Sequence, residues 1–183
     1  MVFGLIAGII LAILIIMLIY YYNRLVSLSN QIDNSLSQID VQLKKRSDLV
    51  PNLLSSVKGY MKHERGVISE VTNARKALLG ATSFEGKVKA GVQLESALKS
   101  IFALAENYPQ LRASETFLQL QQELTTIEEK IAYARQFYND GILSYNNACT
   151  TFPGKLFASI YSRKEKEFLK IAEAERKVPK VSF

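Results

Sequence analysis

The chain has 183 residues, enough for one compact domain with short additions, and 48% of them are hydrophobic. Its net charge of +6 is concentrated in residues 24–62 and 155–183, whereas residues 63–154 carry nine basic and ten acidic side chains. This distribution argues against nucleic acid as a partner, because nucleic acid requires a concentrated basic face, and favours anionic lipid headgroups or a solvated charged tail.

An uncharged run covers residues 2–22. At a rise of about 1.5 Å per residue, a helix of this length spans about 31 Å, the thickness of the hydrocarbon core of a bilayer. A signal peptide is the alternative, but the run exceeds the usual apolar core of about 7–15 residues and lacks a small-residue cleavage site. It ends in Tyr20, Tyr21 and Tyr22, which is typical of an interfacial aromatic belt. The sequence therefore predicts a transmembrane anchor over residues 1–23 and a cell-membrane location.

The charges that flank the run predict its orientation. Only the terminal amine precedes it, whereas Arg24 and then Lys44, Lys45 and Arg46 follow it. By the positive-inside rule, the N-terminus lies outside and the rest of the chain lies in the cytoplasm. Cys149 is the only cysteine, so the chain has no intrachain disulfide, which also favours a cytoplasmic domain.

Two stretches predict self-association. Small residues recur every four positions on one face of the membrane helix, where they allow close helix contact, although small residues are also common in spans. An apolar seam begins beyond the span. The predicted second helix is too short to cover it, so the fourth helix, the C-terminal piece or another chain must cover the rest. We expect a homo-oligomer, with the candidate contact residues Gly4, Gly8, Ala12, Leu25, Leu28 and Ile32.

A heptad seam identifies a long first helix that continues from the span without a linker. Apolar residues recur in steps of four and three at positions 32, 36, 39, 43, 50, 53, 57 and 60, and Arg46 takes the slot between 43 and 50. Pro51 lacks the N–H that the helix ladder requires and clashes with the preceding turn. We therefore expect a kink or break at residues 47–50.

Three further helices are predicted, over residues 64–79, 86–107 and 117–148. The last has the clearest seam, from Phe117 to Ala148 in steps of three and four, and Phe152-Pro153 ends it. No alternating strand pattern occurs in the sequence. The pattern predicts an all-α chain in which an N-terminal transmembrane helix leads into an antiparallel four-helix bundle over residues 24–153.

A basic C-terminal segment covers residues 154–183. It begins with a short apolar piece at residues 156–161, followed by a charged run at residues 163–177. This run predicts a weakly amphipathic helix that packs on the bundle or lies against a membrane or partner. The last six residues, VPKVSF, predict an extended tail that is either docked or frayed.

The polar residues form no predicted catalytic, cofactor-binding or metal-binding set. His63-Glu64 does not continue into H-E-x-x-H, and a metal site cannot be built from one histidine and one cysteine. Cys149 lies in an apolar helix end and is expected to be a packing residue. Three acidic residues recur on one face of the first helix beside two basic ones, as expected of surface ion pairs. They are Asp33, Asp40 and Asp48, with Lys44 and Arg46.

Tyrosines and asparagines recur on or near the seams, and we expect their hydrogen bonds to determine the register of the bundle. Lining a ligand groove is the alternative. The residues are Tyr60, Tyr108, Tyr133, Tyr138 and Tyr145, with Asn52, Asn107, Asn139, Asn146 and Asn147.

Colinear motifs extend along most of the chain. They are SQIDVQLKKRSDLVPNLLSSVKGYMKHE (37–64), VTNAR (71–75), ENYPQLRASETFLQLQQEL (106–124), EEKIAYARQFYNDGILSYNN (128–147), FP (152–153) and VPKVSF (178–183). These motifs resemble those of the LemA family. The resemblance implies a membrane-anchored helical bundle but no settled biochemical activity.

The sequence therefore predicts a single-pass membrane-anchored scaffold or adaptor with a self-associating or membrane-organising role, and not an enzyme. Its expected partners are membrane lipid through the span, further copies of itself and other membrane proteins. A ligand-binding or sensory module with a site in the bundle core is the alternative. An internal cavity with convergent polar groups would favour the module, and an exposed apolar surface outside the seam would favour the scaffold.

Overall fold

The computed structural model describes residues 1–61 and 63–169, and within these ranges it contains helices and no strand. The helices are α1 (Val2–Lys58), α2 (Arg65–Gly80), α3 (Phe84–Ala105), α4 (Pro109–Arg112), α5 (Glu115–Thr150) and α6 (Gly154–Ile160). The prediction of an all-α chain, with a long apolar N-terminal helix leading into a helical bundle, is confirmed. α1 also continues from the apolar run without a linker, as its sequence indicates.

Of the predicted kink or break at residues 47–50, the break is wrong, because α1 is helical through Pro51 to Lys58. A proline leaves the carbonyl four residues earlier without its helical donor, and this carbonyl belongs to Ser47. The Arg75 Nε of α2 donates to the Ser47 carbonyl oxygen at 2.8 Å. The helix therefore tolerates the proline because a side chain 28 residues away replaces the missing N–H.

This compensation predicts that the effects of changing Arg75 and Pro51 are not additive. Arg75→Met leaves the carbonyl of buried Ser47 without its donor and is expected to lower the free energy of unfolding by about 1–3 kcal/mol. Pro51→Ala restores an N–H, so the same substitution should cost about 1 kcal/mol less in that background. Urea denaturation of the four variants measures the coupling, with exposed Lys76→Met as the control. Equal losses in the two backgrounds would contradict the compensation.

The described chain forms two compact units, which α1 and α5 both enter. One comprises Ser37–Ala134 and is called the bundle unit here; the other comprises Met1–Leu36 with residues 135–169 and is called the proximal unit. The bundle unit contains four long helical segments, from α1, α2, α3 and α5, joined by short connections. The Arg75–Ser47 bond joins α2 to α1, and the rings of Phe102 of α3 and Phe117 of α5 pack edge to face at 5.9 Å.

α1 and α3 of the bundle unit approach each other closely at Gly91. A Cβ on Gly91 would lie 2.6 Å from Leu43 Cδ2, well inside van der Waals contact. The seam positions of α1 up to Val57 are buried as predicted except for half-buried Leu36, whereas Tyr60 is 43% exposed and Met61 is buried in its place. The helix ends at Lys58, so the helical spacing no longer applies at residue 60.

The proximal unit contains the first part of α1, the last part of α5, and α6. After α6, residues 163–169 have no regular secondary structure, so the predicted amphipathic helix is wrong for this part. The rest of that predicted helix and the VPKVSF tail lie outside the described residues.

Candidate functional site

The N-terminal part of α1 presents an uncovered apolar surface. Residues 1–16 are exposed throughout, and the helix is long and apolar enough to cross a membrane. A Cβ built on Gly4 or Gly8 would meet nothing within 4 Å, and Ala12 is exposed on the same helix. The face formed by these three residues is therefore open to a second helix.

The other three predicted contact residues lie against the same chain. In the proximal unit, Leu25 and Ile32 of α1 are 1% and 2% exposed, and Leu28 packs beside them. The other buried members of this cluster come from α5 and α6 and are Ile142, Tyr145, Ala148, Cys149 and Ala158. The sequence predicted that the fourth helix, the C-terminal piece or another chain covers this seam. In the structure, the first two cover it, as α5 and α6. Of the six candidate contact residues, Gly4, Gly8 and Ala12 are therefore the ones open to another copy of the chain.

Aromatic contacts attach α6 to the end of the apolar run. The Tyr21 and Phe157 rings stack with centroids 4.8 Å apart, and the Tyr161 hydroxyl donates to the Leu18 carbonyl at 2.9 Å. A Cβ on Gly154 would lie 3.2 Å from Tyr21 Cε1 and 2.2 Å from a backbone oxygen. α6 thus packs directly on the helix that carries the predicted interfacial tyrosines, and glycine is required where it begins.

Two asparagines of α5 bind the extended segment after α6. Asn146 donates to the Lys166 carbonyl and accepts from its N–H, both at 2.9 Å. Asn139 accepts from the Leu169 N–H at 3.0 Å and donates to its carbonyl at 3.5 Å. Seven helical residues rise about 10.5 Å and three extended residues span about 10 Å, so the two spacings match. This match explains why residues 166–169 are extended, and it is a role for these asparagines that sequence reasoning missed.

A buried arginine connects helices of the bundle unit. Arg46 of α1 is only 2% exposed; its Nη1 donates to the Gly91 carbonyl at 3.1 Å, and its Nη2 forms an ion pair with Glu128 of α5. The prediction that Arg46 belongs to a surface ion pair is therefore wrong. Its seam position between residues 43 and 50 was the sequence signal for burial. Arg46 thereby links three helices. A change of register would separate its charge from Glu128, so the ion pair favours one register.

A small cleft opens beside this pair. It has a volume of about 200 Å³ and is lined by Arg46, Glu95, Leu98, Lys99, Phe102, Leu124, Thr125 and Glu128. Its charged groups are paired within the chain, as Arg46 with Glu128 and Lys99 with Glu95 at 2.5 Å. The Thr125 hydroxyl donates to a carbonyl of its own helix. A ligand would therefore have to displace existing contacts.

A wider groove of about 700 Å³ runs along α2 and the end of α1. Lys58, Arg65 and Lys76 supply three positive charges beside Met61 and Ile68. The groove is open to solvent and does not enclose a small ligand.

The polar side chains that the sequence offers for catalysis lie in a turn or in ion pairs. His63 is exposed in a turn, and Asp48 and Asp40 form ion pairs with Lys44 and Lys87 at 2.5 and 2.6 Å. Surface ion pairing is thus confirmed for Asp40 and Asp48. Among the described residues, no group of three or more His, Cys, Asp and Glu side chains could hold a metal ion.

Cys149 is buried in the proximal unit. Burial raises the pKa of its thiol, so the thiol stays protonated at neutral pH and is a weak nucleophile. Burial also raises the pKa of the neighbouring Tyr145 phenol. Both observations agree with the predicted packing role of Cys149.

The predicted tyrosine–asparagine network is wrong for Tyr60, Tyr108 and Tyr133. Tyr60 and Tyr133 are 43% and 66% exposed, whereas Tyr145 is 2% exposed. Tyr108 donates to a Glu64 carboxylate oxygen at 3.2 Å rather than to an asparagine.

Comparison with known proteins gives a consistent family match. The sequence model of the LemA family matches residues 35–183. Protein LemA of Metamycoplasma hominis is 30% identical over 134 residues, which cover 71% of this chain and 60% of that protein. Magnetosome protein MamQ of Magnetospirillum gryphiswaldense is 23% identical over 177 residues, which cover 82% of this chain and 65% of that protein. The chain thus spans 60% to 65% of the length of these curated relatives.

Proposed function

The chain belongs to the LemA family, and on that premise we propose that it is a single-pass, membrane-anchored helical scaffold or adaptor that self-associates or organises a membrane. Its partners in this proposal are membrane lipid, further copies of the same chain and other membrane proteins. The proposal assigns no catalytic step to any residue. In its orientation, the N-terminus lies outside and the folded units lie in the cytoplasm.

One observation carries the proposal, namely the uncovered apolar surface at the start of α1. More than half of the exposed large apolar side chains of the described chain lie in residues 1–22. Exposed apolar surface of this extent requires a membrane or a partner to cover it. Because α1 is continuous to Lys58, whatever covers the apolar stretch also positions the folded helices that follow.

The polar clusters support a structural role for the folded units. The Arg46–Glu128 pair joins helices within the bundle unit, and the bonds of Asn139 and Asn146 hold the extended segment within the proximal unit. Each is satisfied by groups of the same chain and stabilises one arrangement of helices. Units whose helices are held in this way suit a scaffold, which acts through its surfaces.

A ligand-binding or sensory module is the second candidate function, and the cleft beside Arg46 is the observation that favours it. Pockets for small ligands usually enclose about 300–1,000 Å³ and carry polar groups that are available to the ligand. The cleft has about 200 Å³, and its charges are already paired. These properties give the module less support than the uncovered apolar surface gives the scaffold.

Cysteine labelling in intact cells tests the anchor and its orientation. We expect the full chain to remain in carbonate-washed membranes and Thr82→Cys, in a Cys149→Ser background, to react with an impermeant maleimide only after permeabilisation. Thr82 is exposed between α2 and α3, so only the membrane would shield it. Val2→Cys, at the other end of the span, should react in intact cells. Release by carbonate would contradict the anchor, and labelling of Thr82→Cys in intact cells would reverse the orientation.

A further inference from the structure

The outer side of α6 carries an apolar row that the folded chain leaves uncovered. Leu156 and Ile160 are one helical turn apart and are 56% and 63% exposed. Phe152, which lies in the turn before α6 begins, is 83% exposed. Phe157 and Ala158, on the other side of α6, are buried. The short helix therefore has two apolar sides, of which the fold uses one.

The contacts of α6 locate this row at the end of the apolar run. Gly154 and Phe157 both lie against Tyr21, and Tyr161 reaches the Leu18 carbonyl. The Tyr22 and Tyr161 rings also meet edge to face, with centroids 5.3 Å apart. These contacts of α6 therefore fall on residues 18–22 of α1, which rise about 6 Å. If α1 spans a bilayer, α6 lies at the level of the interfacial tyrosines.

Charged and polar side chains border the apolar row. Lys155 and Ser159 are exposed on the adjacent face of α6, and exposed Arg163, Lys164 and Glu165 follow the helix, so the border carries a net positive charge. Helices that lie in the membrane interface combine an apolar side, directed into the acyl boundary, with Lys and Arg side chains directed at the headgroups. The distribution of side chains on α6 has this form.

We propose that α6 is an interfacial membrane helix, which inserts Leu156 and Ile160 into the leaflet where the apolar run ends. The occupant of this surface is the lipid bilayer, because the surface is continuous with the membrane-length part of α1 and its rim is basic. The inference rests on the anchor proposed above. It gives the chain a second membrane contact, which would hold α1 at a defined depth and angle.

Fluorescence quenching tests this contact in the full chain. A bimane is attached at Leu156→Cys, Ser159→Cys or Ile10→Cys in a Cys149→Ser background, and the protein is reconstituted into phosphatidylcholine–phosphatidylglycerol vesicles. Brominated lipid should quench the label at residue 156 at least about twofold more than the label at residue 159 on the polar face. Aqueous iodide should show the opposite preference. Ile10→Cys, within the span, reports separately on the anchor.

Three results would overturn the inference. Lipid quenching at residue 10 with iodide quenching at residue 156 would leave the anchor intact and exclude insertion of α6. Shielding of residue 156 from both quenchers would mean that protein, not lipid, covers the row. Absence of lipid quenching at residue 10 would overturn the anchor, and with it the interfacial position of α6.

Discussion

Replacing Ile131 with Asp is expected to abolish the cooperative unfolding transition of the full chain in mild detergent. Ile131 is 4% exposed on the seam of α5 in the bundle unit. A carboxylate buried there without a partner costs several kcal/mol, and the whole stability of a small domain is about 5–15 kcal/mol. Circular dichroism during urea denaturation would measure the loss as a broad, non-cooperative change.

Two control variants distinguish burial of charge from other effects. Ile131→Val removes one methylene from the same position and should lower the free energy of unfolding by about 1 kcal/mol, with the transition still cooperative. Glu129→Ala changes an exposed neighbour and should leave the transition almost unchanged. A cooperative transition of normal midpoint in Ile131→Asp would show that residue 131 does not face the core.

Glu128→Leu is expected to destabilise the bundle unit by about 3 kcal/mol, because it removes the carboxylate that pairs with buried Arg46. The estimate lies at the lower end of the range for buried pairs because the Glu128 side chain is 35% exposed. Adding Arg46→Met should recover most of the loss, since an apolar side chain of similar length replaces the buried cation. Urea denaturation of the two single variants and the double variant measures this coupling.

The matched control for this pair is Glu129→Leu. It introduces the same leucine at the next, exposed position and should change the free energy of unfolding by less than about 0.5 kcal/mol. If the double variant is less stable than Glu128→Leu alone, Arg46 contributes stability independently of the pair, and the ion pair does not explain its burial.

Repeating patterns along the sequence predicted most of the fold. Most seam positions of α5, from Phe117 to Ala148, are buried at the three–four spacing because one helix face packs on its neighbours, and Ala134 and Tyr138 on the same seam are half-buried. α6 and the segment after it could not be predicted in this way. Their contacts join residues distant in sequence, such as Tyr161 with Leu18, 143 positions apart, and periodicity contains no information about such pairs.

Two errors have the same physical origin. The sequence shows that Pro51 removes a donor, but the replacement donor Arg75 comes from another helix, so only the fold reveals that α1 continues. The seam places Arg46 inward, yet surface exposure is the usual expectation for arginine. Its partner Glu128 lies 82 positions away. In both cases, the spacing indicated where a group lies and the tertiary structure determined whether it was satisfied.

The mass of the assembly in detergent tests the scaffold proposal most directly, and native mass spectrometry of the full chain measures it. We expect the unmodified chain to be a homo-oligomer and Gly4→Leu with Gly8→Leu to reduce its mass, because leucines on this face prevent close helix contact. Ile6→Leu with Ile10→Leu places leucines on the opposite face and should leave the mass unchanged. A monomeric unmodified chain, or an oligomer whose mass is the same in the variant with both glycines replaced, would contradict self-association through the span.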